Sequence, residues 1–128
     1  MLFSEASWAG SGAFSIALLT NLYRSWDSLT NLIDHVIGLS IAGMNNVMVD
    51  ACYSLGPLDE ELCARTMQLA GFLPMVRNYY NATYKDPATG NRSNSDPSES
   101  YNFKNDSYAF AYSDGVSNKL KFSRYTYS

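Results

Sequence analysis

The first half of the chain carries apolar residues at the three-and-four spacing of a helix that is buried along one side. Ser25 or Asp27 can cap the start of this helix, because the side-chain oxygen of either residue accepts an orphan backbone N–H. Gly38 and Gly43 lie inside the run, where they indicate a kink or a close helix–helix crossing. The apolar stripe consists of Trp26, Leu29, Ile33, Val36, Ile37, Met44, Val47, Met48 and Ala51.

A corner and a second helix follow. Gly56-Pro57 predicts a helix end near Leu55, because glycine favours the C-terminal cap and proline cannot continue a helix. Asp59 then supplies an N-cap for a second helix. The pattern predicts a helical hairpin around this corner, preceded by a shorter helix at about 13–23.

The end of the second helix leads into a stretch of different composition. Pro74 bends or shortens that helix. Residues 81–100 contain no Val, Ile, Leu, Met, Phe or Trp. Such a stretch cannot bury enough apolar surface to offset the entropy of ordering it. We therefore expect a helical layer at 1–80 and an exposed linker or long loop at 81–100.

The last segment, 101–128, alternates apolar and small residues and predicts strands. The aromatic side chains between Tyr108 and Tyr112 share one face of an extended chain. Asp114-Gly115 is a hairpin signal, since glycine accepts positive φ. We favour a three-stranded meander with a second turn at Asn105; one long strand with a bulge there is the alternative. The predicted fold is a single α+β domain, with two to three helices followed by an antiparallel β-hairpin or meander.

Composition and charge restrict the kinds of partner that this protein can be expected to bind. The 128 residues carry a net charge of −3 and a pI near 4.9. This balance argues against nucleic acid or an anionic membrane as the main partner. The apolar runs are shorter than the roughly 18 residues of a membrane span. Met1–Gly12 lacks the basic start of a signal peptide, although a mature secreted form remains compatible with this start.

Two cysteines and three glycosylation sequons indicate the cellular compartment in which the protein is expected. Cys52 and Cys63 flank the predicted corner, where a disulfide would pin the helical hairpin; two buried free thiols are the alternative. Asn81, Asn91 and Asn105 each begin an Asn-X-Ser/Thr sequon in or beside the predicted linker and turn. We predict a secreted protein, with a cytoplasmic one as the alternative.

Catalytic signatures are missing from the sequence. His35 and Cys52 would lie about 25 Å apart on one straight helix, too far for a nucleophile–base pair. One His and two Cys cannot complete a zinc shell, and no phosphate loop or nucleophile elbow occurs. The sequence therefore predicts no metal, no cofactor and no enzymatic activity.

A group of aromatic and basic residues in the last segment offers a binding surface, because tyrosine gives contact area with little rotamer entropy to lose. An amphipathic strand surface is the alternative interpretation. The candidate binding residues are Tyr101, Tyr108, Tyr112, Lys121, Arg124, Tyr125 and Tyr127.

Three functions follow from these features. The first is a small non-enzymatic interaction protein of the effector, toxin or inhibitor type, which binds a protein or cell-surface partner. The alternatives are a subunit of a homo-oligomeric assembly and a membrane-active toxin that inserts its helical hairpin.

Overall fold

The computed structural model describes residues 2–20, 22–52, 55–56, 58–78 and 99–126. The strands are β1 (Leu2–Ser4), β2 (Ser15–Leu19), β3 (Val47–Ala51) and β4 (Met75–Asn78). The helices are α1 (Trp26–Ile41), α2 (Glu60–Ala70), α3 (Asp106–Lys121) and α4 (Ser123–Thr126). Two single-turn 3-10 helices, Ser11–Ala13 and Ser100–Asn102, lie in the connections.

The strands form one parallel sheet in the order β1-β2-β3-β4. Parallel neighbours require a crossover connection, and α1 and α2 supply it between β2 and β3 and between β3 and β4. The predicted α+β fold with an antiparallel hairpin or meander is therefore wrong, because strands and helices alternate within the first 78 residues. The predicted helical hairpin is wrong for the same reason, since β3 separates α1 from α2.

Glycine at position 43 ends α1, instead of continuing the helix through to Leu55. Gly43 has φ of 87°, its N–H donates to the Ser40 carbonyl at 3.1 Å, and the Met44 N–H donates to the Leu39 carbonyl at 2.8 Å. This pair of bonds is a Schellman cap with glycine in the left-handed position. Two asparagines follow the cap, and Val47 then begins β3.

The helix starts agree with the capping signals. The Ser25 hydroxyl accepts the Ser28 N–H at 3.1 Å, and the Asp59 carboxylate accepts the Leu62 N–H at 3.1 Å. Both N-caps were predicted, Ser25 as one of two candidates. The predicted helix at about 13–23 is wrong, because this stretch contains β2.

Residues 106–121 form a helix, so the predicted strands and the turn at Asp114-Gly115 are also wrong. Gly115 lies inside α3, where the backbones of α2 and α3 cross. A Cβ atom at this position would lie 2.7 Å from the Met67 carbonyl oxygen. Glycine is thus required here for a close helix–helix approach rather than for a turn.

The core consists of two clusters on the helix side of the sheet. One lies between α1 and the sheet and includes Leu32, Val47 and Val49. The other lies among β3, α2 and α3 and includes Met67 and Tyr112. Because side chains alternate along a strand, Met48 and Asp50 belong to the opposite face of the sheet, which we call the inner face.

The predicted linker 81–100 lies outside the described residues except for its last two positions, so it stays a prediction. Among the described residues, none of the helices is both long and apolar enough to cross a membrane.

Candidate functional site

Polar side chains collect where the four strands end. Glu5 follows β1, Thr20 follows β2, Asp50 lies near the end of β3, and Arg77 and Asn78 end β4. All four carboxyl ends share one edge because the strands are parallel. In open and closed parallel sheets this edge is where ligands bind. We call it the carboxyl edge.

Asp50 and Arg77 form the central ion pair of this edge. They are register partners on β3 and β4, and the pair is bidentate, with Nε–Oδ1 at 2.7 Å and Nη2–Oδ2 at 3.0 Å. The Asp50 side chain is 1% exposed, whereas that of Arg77 is 38% exposed. The buried carboxylate therefore fixes a guanidinium that borders the inner face.

Arg24 joins two of the connections above the sheet. Its Nε donates to the Cys52 carbonyl at 2.7 Å and its Nη1 donates to the Gly56 carbonyl. The Arg24 N–H also donates to the Leu55 carbonyl at 2.8 Å. One side chain thus fastens the connection after β2 to the connection after β3.

Cys52, whose carbonyl accepts this hydrogen bond from Arg24, also forms a disulfide. The structure pairs Cys52 with Cys63, with their Cα atoms 4.3 Å apart. Cys52 has φ of 60°, a left-handed conformation that non-glycine residues seldom adopt. The bridge joins the end of β3 to the first turn of α2, not two antiparallel helices as the sequence suggested.

At the end of β4, the Asn78 amide donates to the Glu99 carboxylate at 3.0 Å. These two residues border a cavity of about 330 Å³ between β4, α2 and α3. Lys119 also lines that cavity, and its ammonium donates to the Leu73 and Pro74 carbonyls. Burial lowers the pKa of Lys119.

At the start of the sheet, the Thr20 hydroxyl donates to the Glu5 carboxylate at 2.6 Å. The carboxyl edge therefore offers carboxylates, a hydroxyl, an amide and a guanidinium. No group of three or more metal-ligating side chains forms among the residues that the structure describes. Such groups can donate and accept hydrogen bonds with a polar ligand.

The aromatic and basic residues predicted to bind a partner do not share a sheet face. Tyr108, Tyr112 and Lys121 lie on α3, and Tyr112 is buried against Phe103 with ring centroids 5.8 Å apart. The Tyr108 hydroxyl donates to Glu61 at 3.3 Å, and this carboxylate, through its negative charge, is the main cause of a raised Tyr108 pKa.

The other members of that predicted surface are scattered. Tyr101 lies in a 3-10 turn, Arg124 and Tyr125 lie on α4, and Tyr127 is outside the described residues. The sheet that was to display them does not exist, so the argument for a common surface fails. Binding by individual residues stays an untested prediction.

The remaining residues singled out in the sequence have the following positions. Asn105 is exposed and caps α3, its side chain accepting the Ser107 N–H at 2.9 Å. Asn81 and Asn91 lie outside the described residues. His35 is exposed on α1.

Sequence reasoning missed Glu5, Thr20, Asp50 and Arg77 altogether. The sequence does contain a signal for Asp50 and Arg77. Each follows a short run of apolar residues that includes valine, Val-Met-Val before Asp50 and Met-Val before Arg77. A charged residue at the end of a buried strand is typical of a site at the carboxyl edge.

The parallel sheet with alternating helices and a polar carboxyl edge defines an α/β protein. In comparisons with known proteins, the family described as "Glycosyl hydrolases family 31 TIM-barrel domain" matches residues 1–110. The chain therefore belongs to glycosyl hydrolase family 31.

Curated relatives agree with this assignment. Bovine lysosomal alpha-glucosidase is 30% identical over 102 residues, which cover 80% of this chain and 10% of that protein. Human intestinal sucrase-isomaltase is 33% identical over 89 residues, covering 68% and 5%. An uncharacterised family 31 glucosidase of Schizosaccharomyces pombe is 35% identical over 78 residues, covering 61% and 8%. The chain thus spans a tenth or less of the length of these relatives.

The family overturns the functional predictions. As functions, a non-enzymatic interaction protein, a structural assembly subunit and a membrane-active toxin are all wrong. The prediction of no enzyme is wrong too, because the chain belongs to a family of glycosyl hydrolases. The relatives are compatible with a location outside the cytoplasm, since one of them is lysosomal by name. The predicted protein or cell-surface partner and the homo-oligomer stay untested.

Proposed function

We propose that this chain supplies part of the substrate-binding face of an enzyme that hydrolyses α-glucosidic bonds. The observation that carries the proposal is the Asp50–Arg77 pair, which lies at the carboxyl edge of a parallel sheet in a family 31 chain. The carboxyl edge is where barrel enzymes hold their catalytic residues. The α-glucosidases among the relatives support the choice of substrate.

The described sheet accounts for half of such a barrel. A closed (β/α)8 barrel has eight strands, and four are described here. We propose that further strands complete the barrel in the natural polypeptide. The catalytic reaction breaks the bond between the anomeric carbon and the leaving oxygen, protonates that oxygen and adds water, for which most glycosidases use two carboxyl groups.

Arg77 is the residue of the pair that meets the sugar. Asp50 is almost fully buried and both of its oxygens accept hydrogen bonds from Arg77. It therefore acts as a positioning residue, which holds the guanidinium plane against the inner face. Arg77, being 38% exposed, can donate to sugar hydroxyls in the fixed geometry that a bidentate pair imposes.

The test uses the natural polypeptide that carries this chain, assayed with 4-nitrophenyl α-D-glucopyranoside and maltose. We expect hydrolysis of both substrates and none of the β-linked isomer. Arg77→Lys keeps the charge but cannot keep two parallel N–H bonds to Asp50, so kcat/KM should fall by about tenfold or more.

Asp34→Asn is the matched control, because Asp34 is an exposed charge on α1; its kcat/KM should stay unchanged. Circular dichroism of each variant separates a loss of activity from a loss of fold. Wild-type protein that is folded but releases no glucose from either substrate would refute the proposal.

We further propose that the protein is secreted or lumenal. The Cys52–Cys63 bridge supports this, because disulfides persist in oxidising compartments. Intact mass after alkylation without reduction should show both cysteines unmodified, and removal of N-glycans should lower the mass. Asn105→Gln should abolish any glycan carried at the α3 cap. Two alkylated thiols and a bare polypeptide mass would contradict the proposal.

A further inference from the structure

Asn105 is the one sequon asparagine that lies among the described residues. It begins the sequon Asn105-Asp106-Ser107, in which the middle residue is not proline. Asn105, the residue before it and the two residues after it are all exposed. An N-linked oligosaccharide is bulky and hydrophilic, so it needs an asparagine at the surface of the folded chain. The fold of this chain leaves room for one at Asn105.

The backbone of Asn105 and its side-chain oxygen are bound within the protein. Oδ1 accepts the Ser107 N–H at 2.9 Å. The backbone N–H of Asn105 donates to the Glu60 carboxylate at 3.2 Å, and its carbonyl accepts the Tyr108 and Ala109 N–H groups, both at 3.1 Å. These bonds fix the residue as the N-cap of α3.

The side-chain nitrogen of Asn105 differs from these groups. Within the described part of the chain, the structure shows no hydrogen bond from Nδ2. An asparagine amide has its donors on the nitrogen and its acceptor on the oxygen. Capping uses the oxygen, whereas an N-linked sugar is attached to the nitrogen. The two roles therefore belong to different atoms and do not compete.

We propose that Asn105 carries an N-linked oligosaccharide on Nδ2 while Oδ1 continues to cap α3. The inference rests on the proposed secreted or lumenal location, because the donor, a lipid-linked oligosaccharide pyrophosphate, is supplied in the secretory pathway. In the transfer, Nδ2 forms a bond to the anomeric carbon of the donor, and the bond from that carbon to the pyrophosphate oxygen breaks. Nδ2 gives up one proton and keeps the other, and the lipid pyrophosphate leaves.

The oligosaccharide is attached on the helix side of the sheet. The Lys104 and Asn105 N–H groups donate to the Glu60 carboxylate at 2.9 and 3.2 Å, so the start of α3 lies beside the start of α2. Both helices contribute to the core on the helix side, whereas the Asp50–Arg77 pair borders the inner face. The proposed modification and the candidate site therefore lie on different sides of the sheet.

Peptide mapping of the natural polypeptide, recovered from eukaryotic cells that express it, tests the modification. Peptide:N-glycosidase in heavy-oxygen water removes an N-linked oligosaccharide and leaves an aspartate marked with the heavy isotope at the position of attachment. Trypsin then places the three sequon asparagines on separate peptides, because a lysine or arginine lies between each of them and the next. We expect the isotope label at Asn105.

Variants of the sequon separate the sugar from the cap. Ser107→Ala destroys the sequon but keeps the backbone N–H that Oδ1 accepts, so it should lose the label and keep the cap. Ser107→Thr is the matched control, since it preserves both the sequon and the cap and should keep the label. Asn105→Ala removes both, so amide hydrogens in the first turn of α3 should exchange about fivefold faster than in Ser107→Ala, as for the loss of one N-cap.

The results distinguish failure of this inference from failure of the proposed location. An unlabelled Asn105 in a polypeptide whose cysteines are bridged would overturn the modification and leave the location standing. An unlabelled Asn105 together with two free thiols would overturn both. A label that persists in Ser107→Ala would also overturn the modification, because no sequon is present there. Equal exchange in Asn105→Ala and Ser107→Ala would refute the cap.

Discussion

The Asp50–Arg77 pair should respond unequally to the loss of each partner. Arg77→Met leaves the Asp50 carboxylate, 1% exposed, without its counter-ion. Removing one partner of a buried pair costs about 3–5 kcal/mol of unfolding free energy, because the remaining charge is neither hydrated nor paired. Asp50→Asn instead leaves a guanidinium that is 38% exposed and can be hydrated. Its cost should be about 1–2 kcal/mol, as for a lost charge-assisted hydrogen bond.

Urea unfolding followed by far-ultraviolet circular dichroism measures this difference. With a slope of about 2 kcal/mol per molar urea, a difference of about 2 kcal/mol between the variants separates their midpoints by about 1 M. The double variant should be more stable than Arg77→Met alone, because it removes the stranded charge. Equal midpoints for the two single variants, or strictly additive costs in the double variant, would refute the account of a buried carboxylate held by a half-exposed arginine.

Two further predictions concern packing and charge on the helix side. Gly115→Ala should destabilise the fold by about 1–3 kcal/mol, since its Cβ would press on the Met67 carbonyl. Gly38→Ala, at a helical position with open space, should stabilise the fold by up to about 1 kcal/mol. Thermal unfolding of both variants measures this difference. Burial lowers the pKa of Lys119, so the charged ammonium costs stability below its folded pKa and this cost disappears as pH rises towards the ordinary value of about 10.4. Wild type should therefore gain stability relative to Lys119→Met as pH rises into that window, and a constant difference across the window would contradict the assignment.

The helix caps were predictable because they depend on adjacent residues. Asp59 and Ser25 cap their helices through bonds to N–H groups three positions further on, and such bonds depend only on local sequence. The end of α1 was not recognised, because Gly43 is equally compatible with a kink and with a terminating cap. As a result, the predicted helix included the residues that form β3. A parallel strand that is buried in a sheet lacks clean alternation, so its apolar run resembles a helix stripe.

In the last segment, 101–128, a helix was predicted as strands. Between Tyr108 and Tyr112 the residues alternate in size, which favours a strand, yet they lie in the first two turns of α3. Packing of this helix against α2, with Gly115 at the crossing, determines its structure, and that contact joins segments about 50 residues apart. The candidate site was missed for a related reason. Residues at the carboxyl edge become neighbours only once four separate strands have been aligned.

The contact between Arg24 and the chain after β3 has a consequence for how a ligand would be received. One guanidinium and two carbonyl groups join the connections that follow β2 and β3, and a disulfide joins the end of β3 to α2. Backbone that is already ordered loses little conformational entropy when a substrate arrives, so more of each contact's free energy appears as affinity. These contacts are made by Arg24, Cys52, Gly56 and Cys63, so substitution of Glu5 or Arg77 does not remove them. Such a frame allows ligand preference to change by substitution at positions such as Glu5 while the surrounding backbone stays in place.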